Sequence, residues 1–529
     1  MSKPKPKKTP SFIAEFELNI DSAVASTLLS RFEAARQAYN ACLGESLRRW
    51  DRLKDSEAYK IAKSLPKRIN GKSNAVRKAA FSKAREQYGF SEYALHAYAV
   101  QFGKSWLGDH LDSTAIQKIA SRAFRAANEY AMGKRGKPRF KGKHRPMKSV
   151  EGKSNAAAGA WGARFKDGTN QILWSGLVLS LIIDADDPVH QQALTCRVKY
   201  VRVLWREIFG RKRWFAQLVC EGFPYRKPKN VVQPGIVGLD IGPSTIAIVS
   251  DDQADLKRFA DEIGDKAKDI AKMQRQIDRQ RRANNPDNYA PDKWVKNANG
   301  NWKHKKGKNK TGKRQWIQSN RQKKQQAKLR EAHRKLAAHR KSLHGKLANE
   351  LLAQGTTIKT EKISYKAFQR MFGKSVGKRA PGMFVEMLRR KAANAGGEVI
   401  EFSTRTTRLS QTCHGCGTIQ KKNLSERWHI CDCGVIAQRD LYSAFLATCV
   451  EDDRAQRAPD APLAQSQWES RLPLLQTAAS RTKSVIGQAC LPNVAPLARQ
   501  NRSSVNSKNQ GEIVHHGQKA LSVLGTPCL

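Results

Sequence analysis

Four cysteines and an acidic residue close behind them are the first feature of this chain that could do chemistry. Cys413 and Cys416 form a C-x-x-C, Cys431 and Cys433 a C-x-C, and Gln438-Arg439-Asp440 opens the segment LYSAFLA, whose apolar residues continue at helical spacing. Two cysteine pairs separated by a hairpin-sized segment suit a tetrahedral zinc ion, because thiolates are soft ligands and zinc imposes no directional preference of its own.

Two more acids stand in telling positions. Asp240 lies near the end of the first of two buried strands in GIVGLDIGPSTIAIVS, which a Gly-Pro turn joins, and Glu361 lies on the strand TTIKTEKIS. Carboxylates on apolar strands are costly to bury unless they are paired, hydrogen-bonded or bound to a metal. Each acid alone has a plainer reading. Asp240 would stabilise its turn, Glu361 would pair with Lys359 or Lys362, and Asp440 would favour the dipole at the start of its helix. If the strands are neighbours and the helix packs over them, the three converge. They could then hold two magnesium ions, or manganese in their place, in the clamp used for phosphodiester hydrolysis.

The elements that must position these residues follow from periodicity. Residues 11–20 alternate as a strand, and Leu28, Leu29, Phe32, Ala35, Tyr39 and Leu43 fall at helical spacing. Helical patterns recur to about Met132, broken near Pro66 and Gly71, and the basic stretch GKRGKPRFKGKHRP follows as a linker or phosphate-contacting loop. GLVLSLII, CRVKYVRVLW and KRWFAQLVCEG read as short strands of a β-rich module that includes the first strand. Beyond Asp240 a basic region spans 256–352, with long helices over Ile270–Arg281 and Ile317–Leu351 around a Gly-, Asn- and Lys-rich insertion. A helix from Pro381 to Gly396 and the strand GEVIEFS lead to the cysteines. Past Glu451 the composition loosens and predicts a mostly disordered tail, 451–529.

Composition bounds the partners. The 97 Lys and Arg against 46 Asp and Glu leave a formal charge of +51 over 529 residues, which repels itself unless a polyanion neutralises it. Nucleic acid is the natural partner, with affinity falling steeply as salt rises. Anionic lipid is the competing surface, but no apolar run approaches the roughly 18 residues of a membrane span. Residues 301–350 alone hold seventeen Lys and Arg against two acids. A solvated cationic face is the bland reading, and contact with a phosphate backbone fits the imbalance better. Candidate contacts are Lys137, Arg139, Lys141 and Lys143 in the basic loop, Arg321, Lys324, Arg330 and Arg334 on the second basic helix, and Arg439 beside the third acid. Of ten cysteines, Cys42, Cys196, Cys220, Cys449, Cys490 and Cys528 are scattered, which makes no disulfide framework and suits a reducing cytoplasm. The start, MSKPKPKKTP, lacks the apolar core of a signal peptide and reads as a loose basic tail.

These segments together resemble the TnpB-like transposon nucleases and their descendants, the compact type V CRISPR effectors. GLDIGPS is similar to the first RuvC motif, TEKIS to the second, and TRTTRLSQTCHGCG with CDCGVIAQRDLYSAFLA to the zinc ribbon and third motif. GKPRFKGK, RKRWFAQLVCEG, FELNI and RFEAARQAYNACL match less closely. The resemblance covers roughly residues 11–450. It implies a multidomain α/β protein, with a β-barrel-like wedge module carrying a helical recognition insertion ahead of an RNase H-like (RuvC) domain with an inserted zinc ribbon. The corresponding divisions are a tail and first wedge strand over 1–20, recognition helices over 21–132, the wedge and linker over 133–230, and the nuclease over 231–450 with the ribbon at 409–436.

By that resemblance Asp240, Glu361 and Asp440 bind catalytic magnesium, Cys413, Cys416, Cys431 and Cys433 bind structural zinc, and the partners are guide RNA with double- and single-stranded target DNA. The setting implied is a prokaryotic cytoplasm beside the nucleoid, with monomer or dimer left open. The chain departs from the family in three places. The second pair is C-x-C rather than C-x-x-C, Gln438 stands for an Asp, and Tyr442 stands for an Asn. Cys433 matches the last ligand. The remaining ligand is Cys431 or, by spacing, His429, and thiolate chemistry favours Cys431. His414, inside the first knuckle, is expected to be exposed or to support the site without ligation. Two other readings compete: an RNA-guided binder without cleavage, and an actin-like or sugar-kinase ATPase suggested by GLDIGPST. A second phosphate loop, which the ATPase requires, does not appear between residues 250 and 450.

Overall fold

The structure, a computed structural model, describes residues 9–142, 146–152, 155, 162–297, 299–312, 314–423, 426–451 and 459–486. The first half is built from β1 (Ser11–Asn19), the helices α1 (Ser22–Asp55), α2 (Glu57–Ser64), α3 (Ala75–Gln87), α4 (Glu92–Val100) and α5 (Ser113–Ala131), and the small hairpin β2 (Arg68–Ile69) and β3 (Lys72–Ser73). There follow β4 (Ser149–Glu151), β5 (Arg164–Lys166), β6 (Gln171–Trp174), β7 (Leu177–Ile182), α6 (Pro188–Thr195), β8 (Val198–Ile208) and β9 (Arg211–Glu221). Seven of these strands form one sheet in the order β4-β8-β9-β1-β7-β6-β5, so the first strand joins strands that lie far along the chain. The end strands β4 and β5 do not pair with one another among the described residues, which leaves the sheet an open, half-closed barrel.

Asp21 caps α1 by accepting a hydrogen bond from the Val24 amide. Leu28, Phe32, Ala35, Tyr39 and Leu43 are buried as their spacing predicts, whereas Leu29 falls off the stripe and is 37 % exposed. The buried Arg31 fastens α1 to the sheet, donating to the carbonyls of Trp174 and Ser175 at 2.6 Å each, with its guanidinium over the Trp174 ring.

The second half begins with β10 (Ile236–Ile241), β11 (Thr245–Val249) and β12 (Ala254–Arg258), continues through α7 (Ile263–Ala283), the hairpin β13 (Lys293–Lys296) and β14 (Trp302–Lys305), and α8 (Asn320–Leu352). It then runs through β15 (Thr357–Glu361), α9 (Tyr365–Arg379), α10 (Pro381–Asn394), β16 (Glu398–Phe402), the short α11 (Thr404–Thr407), β17 (Trp428–Ile430), β18 (Ile436–Gln438), α12 (Arg439–Thr448) and α13 (Ala461–Ile486). A five-stranded sheet of order β12-β11-β10-β15-β16 is its centre, with β10, β15 and β16 parallel and the first three strands antiparallel.

Strand alternation gives the sheet two differently covered faces. Val237, Leu239, Ile241, Ile246, Ile248 and Ile358 face α8 and α10, packing with Leu351, Phe384 and Leu388. On the other face Ala247, Val249 and Phe402 pack against Leu441, Ala444 and Phe445 of α12. Gly238 lets this helix lie close, because a Cβ there would sit 1.9 Å from the Ala444 carbonyl oxygen.

Two expectations need correction. Residues 254–258 are not the start of the basic insertion but the sheet strand β12, because five backbone pairs with β11 outweigh the charge of ADLKR. The tail also holds an ordered segment. The helix α13 buries Ala464, Leu475 and Ala478 against α12 and the ribbon, so residues with little apparent periodicity find a core to cover. Residues 487–529 lie outside the described ones. No described helix is long and apolar enough to cross a membrane.

Candidate metal centres and nucleic-acid interface

The parallel pairing of β10 and β15 sets Gly238 beside Lys359 and Leu239 beside Thr360, which brings Asp240 and Glu361 to the same carboxyl-end edge of the sheet. Lys359 and Glu361, two residues apart, share the face that α12 covers. Lys359 does not pair with Glu361. Its ammonium donates to the carbonyls of Thr448 and Val450, 3.0 and 2.8 Å away, at the far end of α12. This strut holds the helix C-terminus while its N-terminus delivers Asp440 to the acid edge.

Burial pushes the Asp240 carboxyl well above its ordinary range, and the charges of Asp440 and Glu361 push it further, with Arg439 opposing. Three carboxylates from three elements thus converge, near enough for the charges of Glu361 and Asp440 to act on Asp240. Glu361 is also raised by burial, against hydrogen bonds that it accepts from the Thr407 hydroxyl (3.1 Å) and the Leu409 amide (3.4 Å). Arg439 lies 3.4 Å from Asp440 and donates to the Asn423 carbonyl, so it tethers the third acid to the ribbon loop.

Among the described residues, the four cysteines are the only group of three or more His, Cys, Asp or Glu side chains with donor atoms all within 4.8 Å of one another. The three carboxylates are set more widely. Cys413 Sγ lies 3.5 Å from Cys433 Sγ, and Cys416 Sγ 3.4 Å from Cys431 Sγ. These distances are far from a disulfide and near the separation of about 3.8 Å that thiolates at 2.3 Å from a tetrahedral zinc adopt. The Thr418 hydroxyl and amide lower the Cys416 thiol to about 6, so a ligand-competent thiolate is favoured there. The donor set therefore fits zinc, and it includes Cys431 rather than His429.

His429 is buried instead against the Tyr442 ring, 4.4 Å between centroids. His414 is buried rather than exposed, because its Nδ1 and backbone amide both meet the Tyr442 hydroxyl, at 2.8 and 3.0 Å. Trp468 of α13 packs on His414, Tyr442 and Phe445, with centroids 4.7, 5.7 and 5.6 Å away. The two unusual residues of the third motif thereby acquire local roles. Tyr442 is the hub joining knuckle, helix and tail, and Gln438 caps α12 by accepting from the Leu441 amide at 2.8 Å. The Tyr442 partnership crosses 28 residues to His414, and only the aromatic Trp468 in a polar tail hinted at it.

The candidate phosphate contacts separate into exposed and tied groups. Lys137, Arg139, Arg321 and Lys324 are exposed. Lys141 is held at its backbone by Arg36 and Asn40 and lies over Tyr39. Arg330 pairs with Glu207 at the tip of the β8–β9 hairpin, and Arg334, paired within α8 to Glu331, lies over the Phe209 ring of that hairpin, so both brace α8 against the first half. Lys143 lies outside the described residues.

The fold and these sites define a multidomain α/β protein that carries a four-thiolate candidate zinc centre beside an acidic sheet edge. Residues 382–446, the stretch holding the ribbon and third acid, match the family model described as Cas12f1-like, TNB domain, and so bear out the resemblance where its motifs are most specific. No curated protein matches the chain. Solved structures similar to it include the cryo-EM structure of the Cas12f1-sgRNA-target DNA complex, at 11 % identity and TM-score 0.39, covering 82 % of this chain and 98 % of that one. Another is the cryo-EM structure of a CRISPR-Cas12f ternary complex, at 11 % identity and TM-score 0.24, covering 83 % and 98 %.

Proposed function

We propose that this chain is an RNA-guided DNA endonuclease whose RuvC-like, RNase H-like centre consists of Asp240, Glu361 and Asp440. The observation that carries the reading is the parallel β10–β15 register that sets Asp240 and Glu361 at one sheet edge, with Asp440 at the start of α12 close enough for its charge to act on Asp240. The TNB-domain match and the +51 charge support the same reading.

Hard carboxylate oxygens gathered at one edge suit divalent cations, and the three acids would hold magnesium or manganese. Two such ions, when bound, supply an activated water and stabilise the departing 3′ oxygen. Thr407 and the Leu409 amide fix one oxygen of Glu361, so its other oxygen is presented in a constant direction. Arg439 offsets part of the negative field at Asp440 and is positioned to meet a phosphate that enters the edge. Guide RNA would select the target by base pairing, while the protein reads backbone shape and a short flanking motif. The exposed cations Lys137, Arg139, Arg321 and Lys324 would hold the backbones, and the ribbon zinc would hold the third acid's helix.

The test is cleavage of matched duplex DNA by the purified ribonucleoprotein with magnesium. Asp240→Ala should lower cleavage by about a thousandfold or more while RNA and target binding persist. Metal-dependent cutting that survives in this variant overturns the assignment. Tight target binding by the wild type with no cleavage assigns it instead to RNA-guided repression.

A further inference from the structure

The hairpin at the tip of the α7–α8 pair is not used by the reading above. Its register pairs Lys293 with Lys305, Trp294 with His304, Val295 with Lys303 and Lys296 with Trp302. Cross-strand partners share a face and alternate residues change face. One face therefore carries Trp294, His304, Lys296 and Trp302, and the other Lys293, Val295, Lys303 and Lys305. Trp294 and Trp302 are 65 % and 63 % exposed. The Lys296 ammonium lies 5.2 Å from the centre of the Trp302 ring, and His304 packs on Trp294 at 5.2 Å. Between Lys293 and Lys310 the sequence has seven lysines and no acid.

This is a fixed platform. Arg281 stacks on Trp316 at 4.4 Å and bonds the Tyr289 hydroxyl, while Asn285 exchanges two hydrogen bonds with Ile317. The Asp292 carboxylate accepts from the Gly307 amide and pairs with His304.

Resting on the RNA-guided reading, we propose that this hairpin is a stacking platform for unpaired bases of the bound RNA, with Trp294 and Trp302 taking the bases and the flanking lysines the phosphates. Exposed rings favour unpaired bases over a duplex, whose π-faces are already stacked. RNA is favoured over target DNA because an apolar face left bare in the resting protein invites association, and only the resident polyanion covers it before a target arrives.

The experiment measures binding of the full-length chain to a labelled, unstructured RNA of about 20 nucleotides, to an RNA duplex and to single-stranded DNA of the same length, over a salt series. Trp294→Ala with Trp302→Ala should weaken unpaired-RNA binding about ten- to a hundredfold, leaving duplex binding within about twofold and the salt slope unchanged. Trp294→Phe with Trp302→Phe should recover most of the loss, which separates stacking from misfolding. Unpaired-RNA binding within about twofold of wild type, an equal loss on duplex, or a larger loss on single-stranded DNA overturns the proposal. Cleavage assays fail or succeed independently of this readout, so loss of the nuclease reading remains distinguishable from loss of the platform.

Discussion

The two candidate metal centres are neighbours built on opposite plans. The four thiolates come from one short stretch of chain, and their sulfurs gather within 4.8 Å. The three carboxylates come from a strand, a second strand about 120 residues on, and a helix about 80 residues further still. They stay wider apart, and Asp240 among them is raised first by burial and then by the charges of Asp440 and Glu361. A local site of soft ligands supplies few apolar residues of its own to the core it shares with α12 and α13, so its folding leans on the metal as well as on that packing. A non-local site of hard ligands is imposed by sheet and helix packing and destabilises the fold until a cation neutralises it.

The largest effect that could break this contrast is loss of zinc. Replacing Cys413→Ser and Cys431→Ser together should abolish stoichiometric zinc and forfeit folding free energy on the order of 10 kcal/mol in the ribbon. Metal analysis and protease cleavage within 409–436 would show it, and a chain that still held one zinc would disprove the four-thiolate site. Next comes the aromatic hub. Trp468→Ala should cost about 2 kcal/mol, below the range for a fully buried tryptophan because its ring is only partly covered. Earlier proteolysis of α13, with zinc content unchanged, is the expected signature.

The smallest effect has the opposite sign. Asp240→Asn, melted in chelator near neutral pH, should raise the transition of the second half of the chain by about 2–4 °C. The sign follows from linkage. An acid held above its unfolded value near 4 keeps its proton longer in the folded state, so metal-free stability falls as pH rises through the interval between the two values. The wild type should show that fall and the variant much less of it. Equal profiles would mean that the fold does not raise the Asp240 carboxyl.

Much of this was legible from residue types. The acids and cysteines stood out because each carries a cost or a spacing that ordinary packing does not explain, and the helix α1 because its apolar stripe is regular. The hidden parts are those in which distant partners override local character. The strand β12 carries ADLKR, whose charges disguise a ladder that only β11 supplies. The hairpin β13–β14 lies in a stretch whose Gly, Asn and Lys content resembles a linker. Lys359, beside Glu361 in sequence, serves the far end of α12. Tyr442 and Gln438, read as departures from a family pattern, carry packing and capping whose partners no spacing rule could name.

The position of Trp468 bears on where this chain may be shortened. Composition changes at Glu451 and invites a boundary there, yet a polypeptide ended at that point would lose the ring that lies across His414, Tyr442 and Phe445. A compact version of the protein should therefore retain the chain through Ile486, and a fused partner joined after that residue would leave the seam between the cysteine segment and α12 closed.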